Sequence, residues 1–189
     1  MAMDVAVARR LFTRQEYHRM GEVGILKETD HVELIHGEIV ETSPQGFRHR
    51  ASIDNLTRLL VTRLGDRAVV SIQMPIVLTD DTEPQPDVQV LRPPTVSYKH
   101  REVRAEDALL LIEAGGTSLA YDRSTKLRLY AEAGVPEYWV VDCVAESVDV
   151  HRAPHAGGYR DIVRVAAPTD TVALQAFPDV VLTLAEIFA

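Results

Sequence analysis

Glu113 closes the most apolar run in the chain, Ala108-Leu109-Leu110-Leu111-Ile112. A carboxylate there costs several kcal/mol to desolvate unless a buried arginine, backbone donors or a bound cation compensates it. Asp87 follows Pro86 at the entry to a strand read over residues 87–91. Alone it reads as a turn residue after proline. If its strand lies beside that of Glu113, the two carboxylates converge at one edge of a sheet. Mg²⁺ and Mn²⁺ take such hard oxygen ligands, one or two carboxylates completed by water and phosphate oxygens. Lys126 stands one turn inside the next helix, with a side chain that tilts back toward the helix N-terminus and so toward the loop after Glu113. Its ammonium could hold a water or a phosphate oxygen; it could equally pair with Asp122 at i,i+4. Glu38 could add a further carboxylate or face solvent. Gln85 and Gln89 lie close enough in sequence to assist, and His36 and His49 could approach the site or be surface or turn residues.

The elements that must position these groups follow from periodicity. Thr13-Arg14-Gln15-Glu16 is a capping box that starts a short helix to about Met20. Residues 32–41 read as two short strands joined around His36-Gly37. Ile53, Leu56, Leu60 and Leu64 recur at helical spacing over residues 48–64, with Arg50, Arg58, Arg63 and Arg67 on the other faces as candidates for phosphate contact. Strands are expected at 69–72, 75–78 and 87–91, then a loop over 92–107 with room for one helical turn. The run 108–112 reads as a central strand buried on both faces. A helix over 122–133, ended by Gly134, leads to a strand at 138–141, and that order predicts a crossover between parallel neighbours. Short strands near 147–151, 159–165 and 171–174 and a terminal helical turn complete a mixed α and β chain with helices flanking one sheet. Tyr138 and Trp139 read as core.

The 189 residues, 46% apolar and 25% charged, suit one globular domain with one sizeable core. No apolar run approaches the ~20 residues of a membrane span, and the N-terminus has no secretion pattern, so the expected compartment is the cytoplasm. The single cysteine, Cys143, reads as a small buried residue. Twenty basic against 28 acidic residues give a net charge of −8, which argues against non-specific coating of nucleic acid but suits a site for divalent cations. The glycine loop of nucleotide-binding proteins, the nucleophile elbow of serine hydrolases and the zinc helix of metalloproteases are absent.

Glu33-Leu-Ile-His-Gly-Glu-Ile-Val-Glu-Thr-Ser-Pro44 with His49, Pro84-Gln-Pro-Asp87, Glu113 with Thr117-Ser118, and the stretch from Tyr121-Asp122-Arg123 through Lys126 to Gly134-Val-Pro-Glu-Tyr-Trp-Val-Val-Asp142 together resemble the Uma-type restriction endonuclease family. That family lies in the PD-(D/E)xK nuclease superfamily. The resemblance runs from about Thr13 to the C-terminus and is most specific over 121–142. It implies a restriction-endonuclease-like fold with a central mixed β-sheet, spanning 1–189 as a single domain with 1–12 as a flexible extension. It also implies that Asp87 and Glu113 bind Mg²⁺ or Mn²⁺ and that Glu38 is an accessory acid. The superfamily's lysine position is Gly115 here, and the family's alternative, a lysine on the following helix, is Lys126. The expected function is metal-dependent hydrolysis of DNA phosphodiesters by a homodimer, with Lys126 orienting water or stabilising developing charge. The alternative is a catalytically inactive nuclease-fold module that binds nucleic acid or protein, motivated by Gly115-Gly116 and the charge. A hydrolase of small phosphorylated molecules, with a closed pocket, is a third reading.

Overall fold

A computed structural model describes residues 8–27, 29–42, 46–93, 98–116 and 118–189. Most of the expected N-terminal extension, Ser43-Pro44, part of the 92–107 loop and Thr117 therefore lie outside it. Helix α1 (Arg14–Glu22) starts on the expected capping box: the Thr13 hydroxyl accepts from the Glu16 N–H, and the Glu16 carboxylate accepts from the Thr13 N–H at 3.0 Å. Strands β1 (Val32–Ile35) and β2 (Glu38–Glu41) pair antiparallel across His36-Gly37. Both turn residues have positive φ, 50° and 75°, as a two-residue hairpin turn requires. At Gly37 a Cβ would also collide with Leu11.

The main sheet has six strands in the order β3 (Val69–Ile72), β4 (Val88–Leu91), β5 (Ala108–Gly115), β6 (Glu137–Asp142), β7 (Ser147–His155) and β8 (Gly158–Val165). All neighbours are antiparallel except β5 and β6, the pair joined by a helical crossover. Strand β5 is buried along its whole length, and its side chains alternate between two layers. Leu110, Ile112 and Ala114 pack with helix α2 (Phe47–Leu64) and the C-terminal β9 (Thr171–Ala173), β10 (Val181–Thr183) and α5 (Leu184–Ile187). Leu111 points the other way, into a layer with Tyr130, Tyr138 and Tyr159. Glu113 shares the parity of Leu111 and so faces that second layer.

Helix α2 buries Ile53, Leu56, Leu60 and Leu64 as their spacing predicts, each such side chain contributing about 1.5–3 kcal/mol. The C-terminus is tied to it through Asn55, whose amide donates to the carbonyls of Ile187 and Ala189. Residues 75–78 do not form the expected strand. Only Val77 bridges, to Arg104, because Ile76 and Val77 spend their N–H groups on the carbonyls of Pro84 and Val103 and no ladder can extend. The loop before β5 contributes the expected single turn, Ala105–Asp107. Cys143, Tyr138 and Trp139 are all buried.

Candidate active site

Register brings the acids together. Val88 on β4 pairs with Ile112 on β5, so Asp87 stands level with Glu113. The Asp87 carboxylate reaches across and accepts from the Ala114 N–H at 2.9 Å. It also accepts from His49 Nε2 at 3.0 Å and from the Gln73 amide at 3.4 Å. His49 comes from the first turn of α2. Gln73 follows β3 with a backbone φ of 50°, a conformation uncommon for a residue with a Cβ and concentrated at functional sites.

The chain leaves β5 through Gly115-Gly116, enters α3 (Leu119–Tyr121), widens into one π-helical turn (Asp122–Lys126) and continues as α4 (Leu127–Glu132). A π turn fits an extra residue into the helix and re-aims its side chains, and such turns recur at functional sites. Here it buries Asp122 and Lys126 together. The close packing needs Gly115, where a Cβ would overlap the Ser118 hydroxyl that donates to Asp122 Oδ2 at 2.8 Å. A side chain at position 115 would push that hydroxyl off Asp122, and the ammonium arrives from the helix instead. Lys126 Nζ donates to Glu113 Oε1 and to Glu33 Oε1, both at 2.9 Å, and the Tyr130 hydroxyl donates to Glu113 Oε1 at 2.7 Å.

Asp87, Glu113, Glu33, Asp122 and Lys126 line one cleft of about 510 Å³, with His49, Gln73 and Tyr121 on its walls. Glu38 is not among them. It stands at the turn end of the hairpin, half exposed, paired with Arg9 at 2.6 Å. The hairpin acids that line the cleft are Glu41 and Glu33; Glu33, five positions before Glu38 and 3% exposed, also accepts from the Gln85 N–H at 2.8 Å. Gln89 turns away and donates to the Met74 carbonyl. The i,i+4 pairing of Asp122 with Lys126 is replaced by the bonds from Lys126 to Glu113 and Glu33.

Burial pushes the Glu113 carboxyl well above the ordinary carboxylate range; Lys126 opposes the rise, and Asp87, Asp122 and Glu33 add to it. Burial likewise raises Asp122 to about 6, against Lys126 and the Ser118 hydrogen bond. For Lys126 burial works in the other direction, but the charges and hydrogen bonds of Glu113 and Glu33 outweigh it and hold the ammonium above the usual lysine value. Acidic groups outnumber the cation they share. Glu33 Oε2 is buried with no hydrogen-bond partner, an arrangement that added positive charge would relieve. Among the described residues no three His, Cys, Asp or Glu side chains form a ready-made chelating group. Mg²⁺ needs only one or two carboxylates, with water and substrate oxygens supplying the rest. The donor set, oxygen-rich and in negative surplus, fits such an ion.

A family model described as "Putative restriction endonuclease", Uma2, matches residues 14–185. The chain belongs to the Uma2 family. The crystal structure of "a putative nuclease belonging to DUF820" from Anabaena variabilis ATCC 29413 superposes on this Uma2 chain with a TM-score of 0.71, at 20% identity, over 94% of this chain and 97% of that one. At that identity the likeness is one of fold, and the fold is the mixed α+β, restriction-endonuclease-like one. No curated protein matches the chain. Uma2 membership gives a nuclease at the level of the family. Among the described residues, no helix is long and apolar enough to cross a membrane.

Sequence reasoning gave Glu33 and Asp122 no role in this Uma2 site and left His49 between the site and the surface. Glu33 carried a signal, an acid inside the apolar run Val32-Glu33-Leu34-Ile35, of the same kind that singled out Glu113. His49 lies one helical turn before Ile53, on the buried face of α2. Asp122 reads from the sequence as a helix start and an i,i+4 partner of Lys126, because nothing local marks a π turn.

Proposed function

We propose that the chain is a divalent-metal-dependent DNA endonuclease acting in the cytoplasm. The observation that carries this reading is the Lys126 ammonium, held 2.9 Å from both Glu113 and Glu33 in the cleft that Asp87 lines. Asp87 and Glu113 are the residues that would hold Mg²⁺ or Mn²⁺. When bound, the ion supplies positive charge to the scissile phosphate and lowers the pKa of a water.

The chain's own groups do the rest. Lys126 is kept protonated by its two carboxylates, so it acts as a fixed donor to a phosphate oxygen or to the attacking water, not as a base. Glu33 is a positioning residue: it anchors the ammonium and is itself fixed by the Gln85 N–H. Tyr130 and the Ala114 N–H hold Glu113 and Asp87 in the orientations they present to the cleft. The cleft continues past His49 and Gln73 into a second groove, which suits a polymer better than a small phosphorylated molecule. Two copies about a two-fold axis would place one such site on each strand of a duplex.

Incubation with supercoiled plasmid and Mg²⁺ or Mn²⁺ tests the reading. Wild type is expected to nick or linearise the plasmid, and Asp87→Asn and Lys126→Ala to leave it intact. Equal cleavage by the variants would refute the assignment, and no cleavage by any form together with no Mn²⁺ uptake in calorimetry would favour the inactive binding module.

A further inference from the structure

A groove of about 600 Å³ runs between α2 and the end of β3, and shares His49 and Gln73 with the cleft. Its helical wall is one stripe of α2 at positions 50, 53, 54, 57, 58, 61 and 62, the i, i+3, i+4 pattern of a single face. From Arg50 to Thr62 that stripe is about 18 Å long, enough to follow roughly five nucleotide steps of one duplex strand. Its chemistry is mixed. Ile53, Val61 and Ile72 give apolar surface, and the last two are substantially exposed. Arg58 is exposed and makes no hydrogen bond or ion pair among the described residues. Among the described residues the Arg50 side chain pairs only with Asp54, at 3.7 Å and largely in solvent, a pair worth little. Thr57 keeps a buried hydroxyl with no partner. Phe47, on the first turn of the same helix beside cleft-lining Gly46, is 96% exposed.

In a chain of net charge −8, arginines left uncommitted beside an acidic cleft call for an anion that enters from outside. We propose that this groove is the track for the nucleic-acid strand that runs on from the scissile phosphate: Arg50 and Arg58 hold successive phosphates, the apolar surface receives sugars and bases, and Phe47 stacks on a base at the junction with the cleft. Positive charge along a backbone path combined with a stacking ring is the chemistry of strand binding. The left-handed Gln73, tied to Asp87 by both backbone and side chain, fixes the corner where track meets site. The inference rests on the nuclease reading of the cleft and adds where its substrate lies.

Fluorescence anisotropy of a labelled oligonucleotide, as single strand and as duplex, in EDTA to prevent turnover, tests the track. Arg50→Glu and Arg58→Glu are each expected to weaken binding by at least about tenfold and to reduce the slope of log affinity against log salt by about 1. Phe47→Ala is expected to weaken the single strand more than the duplex. Mn²⁺ binding by calorimetry should be unchanged in all three. Binding equal to wild type in both arginine variants, or no binding by wild type in either form, overturns the proposal. So does a change of oligomeric state in Arg58→Glu by sedimentation, which would assign the groove to a second copy of the chain. Asp87→Asn separates the two readings. Cleavage surviving in it removes the catalytic assignment and leaves the track standing; cleavage lost, with the arginine variants binding normally, removes the track alone.

Discussion

Glu33 and Glu38 sit five residues apart on one hairpin and have opposite fates. Glu33 is buried against Lys126, whereas Glu38 forms an exposed pair with Arg9 worth about 0–1 kcal/mol. Glu33→Gln keeps an oxygen for the Gln85 N–H but removes half of the charge that anchors the ammonium. Loss of such a supporting group is expected to lower plasmid cleavage by about 10–100-fold, while Glu38→Gln cleaves like wild type; equal rates for the two variants would refute the role of Glu33. Asp122 gives a pH-dependent counterpart. Its folded pKa, raised from 3.8 to about 6, means that the native state binds this proton more tightly than the unfolded chain does. Ionising it therefore destabilises the fold: the penalty is absent below about pH 4, grows through pH 6 and is complete above it. Asp122→Asn removes the penalty and can still accept from Ser118. We expect it to stabilise the protein by roughly 1–3 kcal/mol at pH 8, a rise of about 2–4 °C in Tm per kcal/mol, and to match wild type at pH 4 in thermal unfolding scans.

At the scale of elements, patterns set by burial were legible and arrangements set by tertiary contact were not. The all-apolar run before Glu113 marks a central strand, and the spacing of Ile53, Leu56, Leu60 and Leu64 marks α2, because each reports directly which side faces the core. The parallel pairing of β5 with β6 followed from the helix-length connection between them. Residues 75–78 misled because a short continuous apolar run, Pro75-Ile76-Val77-Leu78, also suits an irregular segment whose N–H groups are taken by loops. The π turn was invisible, since it depends on how closely the helix start packs on Gly115. That packing can be tested by coupling. Gly115→Ala forces the Ser118 hydroxyl off Asp122 and should cost about 1.5–3 kcal/mol, the value of a hydrogen bond to a charged group. Ser118→Ala loses the same bond. With that hydroxyl gone, adding Gly115→Ala should cost almost nothing more, so the double variant should match Ser118→Ala in urea unfolding. Simple additivity would show that Gly115 matters for another reason.

Across the whole molecule, the six-stranded sheet holds a negative surplus at the ends of its most buried strands, in a chain already at −8. Asp87, Glu113 and Glu33 come from three distant segments, so the cluster exists only in the folded state. A cation that binds it therefore binds N and not U, and stabilises the whole fold by mass action. At a concentration one hundred times its Kd, Mn²⁺ should add about 2.7 kcal/mol, which for a chain of this size raises Tm by about 5–11 °C. Asp87→Asn preserves the contact with the Ala114 N–H through its amide oxygen but removes a charge from the site. Its metal-free Tm should lie close to that of wild type or above it, because like-charge repulsion with Glu113 is relieved, and the Mn²⁺ shift should largely vanish. Chelation by EDTA should reverse the wild-type shift. A wild-type protein whose unfolding ignores Mn²⁺, or an Asp87→Asn variant that responds as strongly, would mean that the acids and Lys126 neutralise one another without any need for an ion, and that the cluster is a structural one.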